Sequence, residues 1–138
     1  MSDQAFDWSD ACAPSLDEFA AMAARALKAL PEPFRSLVAD VQMRVLDFAE
    51  EEVLEEVGLE DPFELTGLYR GPDLRTRSAF DPLPQPSMVF LYRRPILDEW
   101  CEHGEIGLGE LIGHVLAHEI GHHFGLSDAD IEAIEAGA

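Results

Sequence analysis

A chain of 138 residues, 47% of them apolar, suits one compact domain with an ordinary core and leaves no room for a separate substrate domain. Its 28 acidic against 9 basic residues give a net charge of −19, a field that repels phosphate backbones and the anionic face of a membrane and so excludes nucleic-acid and membrane partners. What remains is a peptide or protein partner, a basic one suiting the acidic surface best, and a monomer is expected. Cys12 and Cys101 match no disulfide framework or zinc ribbon. The N-terminus is acidic without an apolar stretch of signal-peptide length, and the apolar run Met88–Tyr92 is far too short to span a bilayer. A cytoplasmic setting is the expectation.

Residues 1–14 read as a flexible arm and residues 15–138 as a single domain. Ser15 with Glu18 three residues later forms a capping box, and Phe19, Met22, Ala23, Leu27 and Leu30 follow at helical spacing until Pro31 stops the helix. Another short turn is expected over 33–38. A strand is expected over 41–48, with Val41, Met43 and Val45 alternating against Gln42 and Arg44. Residues 50–57 read as an acidic helix ending at Gly58. Residues 62–86 hold five of the nine prolines and read as a long irregular segment, with a brief strand at Leu68, Tyr69 and Arg70. The strongest strand pattern covers 87–93, ended by Pro95, and a short helix is expected over 96–103. The longest helix is expected over 108–124 and a last one over 128–135. Helices and a few strands without βαβ alternation indicate an α+β fold, a small sheet packed on the 108–124 helix and on the N-terminal helix.

The chemistry sits on the 108–124 helix. His118 and His122 are four residues apart, so they lie one turn along the axis and about 40° around it, and two imidazoles so placed can converge on one tetrahedral zinc. Glu119 lies off that ligand axis, where its carboxylate can reach a water beside the metal and act as general base. A catalytic zinc needs a third protein ligand and one open position. Asp128 lies six residues beyond His122, with Gly125 between them to take the left-handed conformation that reverses the chain. Asp130 offers the same carboxylate chemistry two residues further on. His123 points about 100° away from His122, toward a packed or hydrogen-bonded position. His114, one turn before His118, suits the site wall or a place behind the ligands, because as a fourth ligand it would close the coordination sphere. The oxyanion of the reaction needs a further donor, for which Tyr69, Tyr92 and an arginine of the 67–77 loop are candidates.

The run from His118 to Asp128, read as His-Glu-x-x-His-x-x-Gly-x-x-Asp, resembles that of the short bacterial zincin-like metallopeptidases, or minimal zincins. The stretches 67–71 and 89–95 look like that family's middle loop and the strand before its active helix. The resemblance covers roughly residues 15–135. It implies an α+β zincin core, one zinc per chain held by His118, His122 and Asp128, and Glu119 as base. No methionine follows Met88, so the metzincin Met-turn is absent, and Glu132 and Glu135 lie too near to serve as the distant glutamate of gluzincins. The expected function is zinc-dependent hydrolysis of peptide bonds, with 87–93 as the strand that receives the peptide by strand addition. The alternative is a non-catalytic binding module in which zinc ties the helix to its tail.

Overall fold

The computed structural model describes residues 7–71 and 87–137. Among these, six helices and three strands follow one another as α1 (Leu16–Lys28), α2 (Phe34–Leu37), β1 (Gln42–Leu46), α3 (Glu51–Val57), β2 (Gly67–Arg70), β3 (Met88–Tyr92), α4 (Arg93–His103), α5 (Leu108–His123) and α6 (Asp128–Glu135). Short 3₁₀ turns occupy Trp8–Asp10 and Pro62–Glu64. The α+β class is that expected from the sequence. Residues 72–86, the greater part of the proline-rich segment, lie outside the described residues, as do Arg75 and Arg77 of the loop considered for an oxyanion donor.

Local signals place most element ends. The Ser15 hydroxyl accepts from the Glu18 amide at 3.1 Å while the Glu18 carboxylate accepts from the Ser15 amide at 2.9 Å, so the capping box starts α1 as its residues dictate. Pro95 departs from expectation. It does not end β3 but sits in the first turn of α4, which begins directly after the strand. A proline costs nothing there, because the first amides of a helix have no intrahelical acceptor to lose.

The sheet order is β1-β3-β2, with β1 parallel and β2 antiparallel to β3. Gln42 pairs with Met88 and Leu46 with Tyr92 on one side, Gly67 with Leu91 and Arg70 with Met88 on the other. The strand expected to receive a peptide is therefore the central one, hydrogen-bonded on both sides, and among the described residues the unpaired edges belong to β1 and β2. Both of β3's faces are apolar, and that is why it takes the middle. Val89 and Leu91 enter the main core, whereas Phe90 and Tyr92 meet Ala49 and Leu54 beneath α3.

The main core lies between the sheet and the layer of α1 and α5. Phe19 and Ala23 of α1, Phe34 of α2, Ile112, Leu116 and Ile120 of α5 and Ile131 of α6 are all fully buried in it. Each large side chain of this kind contributes about 1.5–3 kcal/mol relative to exposure. No charged side chain is fully buried among the described residues. Of the ionisable groups of α5, Glu119 and His123 lie against β2, beside Gly67 and Tyr69. Arg93, only 13% exposed, ties the N-terminal segment and the end of β1 to α4 by donating to the Pro14 carbonyl at 2.7 Å and to Asp47 at 3.0 Å.

Candidate metal centre

The apolar stripe Ile112, Leu116 and Ile120 seats α5 on the core, and this turns His114, His118 and His122, spaced four apart, toward α6. The chain reverses after α5 at Gly125, whose φ of 81° is left-handed and strained for a residue with a side chain. Ser127 then caps α6. Its hydroxyl accepts from the Asp130 amide and its own amide donates to the Asp130 carboxylate, each at 3.1 Å. The Ser127 amide, and after it the Ser127 hydroxyl, hold the Asp130 carboxyl below the usual aspartate range. Asp130 is thereby engaged in the cap, which leaves Asp128, at the first position of α6, turned back toward α5.

The structure brings His118, His122 and Asp128 together. His122 Nε2 lies 2.9 Å from Asp128 Oδ1 and His118 Nδ1 lies 3.5 Å from the same oxygen. Ligand atoms of the three all fall within 4.8 Å of one another. In a tetrahedron with zinc bonds of 2.0–2.2 Å the ligand atoms stand about 3.4 Å apart. The donor set of two imidazoles and one carboxylate, and its spacing, fit a zinc ion. His114 lies beside this group, its ring 4.6 Å from that of His118, and its Nδ1 is held at 2.8 Å by Glu135 Oε2.

Glu119 borders the same space without belonging to the donor set. Burial pushes its carboxyl up to about 7, while His122 and the backbone N–H of Tyr69 pull the other way. A cleft of about 370 Å³ opens over these groups, lined by Thr66, Glu99, His114, Val115, His118, Glu119 and His122. Thr66 precedes β2, and the edge of β2 runs along α5.

The tyrosines considered as oxyanion donors are both buried, Tyr69 with its backbone at the Glu119 carboxylate. Tyr69 is buried with its ring stacked on His123 at 3.8 Å, and its hydroxyl has no partner among the described residues. Tyr92 is buried in the second core with Ala49 and Leu54. Neither ring lines the cleft. Arg70 is engaged with Glu56 of α3. Sequence reasoning missed Glu99 and Thr66, which come to the cleft from α4 and from the start of β2. It also set Glu135 aside. Its spacing of seven residues from Asp128, two helical turns on one face, was the available signal.

Exposed Cys12 and Cys101 are both free thiols. Among the described residues no helix is long and apolar enough to cross a membrane. No curated protein matches the chain. Residues 38–138, most of its length, match the family model described as zincin-like metallopeptidase. With an α+β core and two histidines, a glutamate and an aspartate brought to one helix face, the chain belongs to the zincin-like metallopeptidase family.

Proposed function

We propose that the protein is a zinc-dependent peptidase with one zinc per chain, held by His118, His122 and Asp128. Bound there, the ion would lower the pKa of a water molecule and polarise the carbonyl of a peptide bond. Glu119 accepts the proton from that water as its oxygen attacks the carbonyl carbon. It then delivers the proton to the amide nitrogen as the C–N bond breaks, so one water is consumed and a free acid and amine are released. The edge of β2, unpaired among the described residues and beside the cleft, takes the role expected of 87–93 and suits a peptide added as a further strand.

The observation that carries this reading is the placement of Glu119, a carboxylate at the border of an open cleft and outside the three-donor set. A purely structural zinc site is closed by four protein ligands and has no use for such a group. The test combines metal analysis with a quenched peptide library. Wild type should hold one zinc and cleave in a zinc-dependent way. Glu119→Gln should keep the zinc and lose at least about 10²-fold in rate, the scale of general-base removal. Zinc retained with no cleavage across the library, basic sequences included, would instead support a zinc-stabilised binding module.

A further inference from the structure

α5 and α6 run in opposite directions, so Asp128 at the start of α6 faces His122 at the end of α5, and Glu135 faces His114 two turns earlier. His118 lies between the two carboxylates. Its Nδ1 is 3.5 Å from Asp128 Oδ1, on the side of the metal donors, and its Nε2 is 3.9 Å from Glu135 Oε1. Both of these last atoms are shut off from solvent and neither has a hydrogen-bond partner. The other oxygen of Glu135 is anchored at 2.8 Å on His114 Nδ1.

We infer that Glu135 is a positioning residue for the metal centre, taking the N–H of His118 on the ring edge opposite the zinc; this rests on the zinc-peptidase reading above. A neutral imidazole offers one N–H and one lone pair. With the proton on Nε2, facing Glu135, the lone pair stands on Nδ1 and faces His122 and Asp128. The 3.9 Å gap is too long for a hydrogen bond. Two buried, unpartnered polar atoms facing each other carry a desolvation cost that closing the gap by about 1 Å would relieve. His114 fixes the carboxylate from its far side, so the chain His114, Glu135, His118 orients the ring. A carboxylate placed behind a ligating histidine also raises its basicity toward the metal.

His114, His118 and Glu135 also lie within 4.8 Å of one another and form a second set of potential cation ligands. A cation there together with one at the first site would need both nitrogens of His118 stripped of their proton, and His114 is already hydrogen-bonded to Glu135. The positioning role satisfies the same atoms with no such demand.

Full-length wild type, Glu135→Ala and Glu135→Gln distinguish these readings. Three quantities are measured: zinc affinity by competition with a chelator, zinc content, and the His118 ring N–H by nuclear magnetic resonance of the zinc-loaded protein. Melting of the zinc-free proteins controls for folding. Glu135→Ala should weaken zinc binding about 10-fold or more and lose the protected His118 N–H signal. Glu135→Gln, which keeps an oxygen acceptor, should retain the signal and most of the affinity. Unchanged affinity and an unchanged N–H signal in Glu135→Ala, with wild type binding one zinc, overturn the inference alone. Two zincs in wild type, one of them lost in Glu135→Ala, also overturn it by making Glu135 a ligand. A wild type that binds no zinc removes the metal centre and this inference with it.

Discussion

Two aspartates two residues apart, Asp128 and Asp130, offer identical chemistry, and the backbone distinguishes them. Asp130 receives the Ser127 amide and completes a capping box, whereas Asp128 turns to His122 at 2.9 Å. Asp128→Ala should therefore weaken zinc binding about 10-fold or more, the loss reached even by partners behind a ligand. Asp128→His should keep the metal, since imidazole is an equally good zinc ligand. Asp130→Ala should lower stability through the lost half of the capping box and leave zinc affinity nearly intact. His123→Ala should likewise spare the metal, because that ring stacks on Tyr69 rather than facing Asp128. Titrating the four variants with zinc checks the assignment, and Asp130→Ala stripping the metal would defeat it.

The proposed metal centre depends on how closely α6 lies against α5. A β-carbon added at Gly121 would stand 2.6 Å from Cδ1 and Cγ1 of Ile131, well inside contact distance. Glycine at this position is thus what admits Ile131, and with it the face of α6 that carries Asp128 and Glu135. Gly121→Ala should cost about 1–3 kcal/mol in thermal or denaturant unfolding, the usual scale for overpacking. It should also loosen zinc binding, although residue 121 bears no ligand. Ile131→Val removes one of the two clashing carbons and should recover part of both losses in the double variant. The turn adds its own constraint. Gly125→Ala places a side chain at φ 81° and should destabilise by about 1–2 kcal/mol, with Gly125→Asn milder because asparagine tolerates that conformation.

At the scale of the molecule, the chain carries 28 acids against 9 bases, and the lining of its cleft includes Glu99 and Glu119. A field of one sign raises the local concentration of oppositely charged substrates and is weakened as salt shortens the Debye length to about 8 Å at 0.15 M. Matched peptides that differ only in charge should therefore be cleaved with a higher kcat/KM when basic. That advantage should shrink as salt is raised, with the neutral peptide changing little. Equal rates for acidic and basic peptides at low salt would show that the surface charge serves solubility alone.

Much of this was legible along the chain because it is local chemistry. The Ser15–Glu18 capping box, the alternation of Met88–Tyr92, the four-residue spacing of His118 and His122, and the glycine that turns the chain before Asp128 each act within a few residues. Periodicity and backbone preference read them directly. Pairing order is not local. An apolar strand reads the same at the edge or the centre of a sheet, so only the fold decided that β3 is central and that β2 lies beside α5. The fold likewise decided that Glu99 lines the cleft, that Tyr69 and Tyr92 do not, and that Glu135 stands behind His118. Spacing along one helix is set by its covalent geometry, whereas contact between two elements is set by the packing of both.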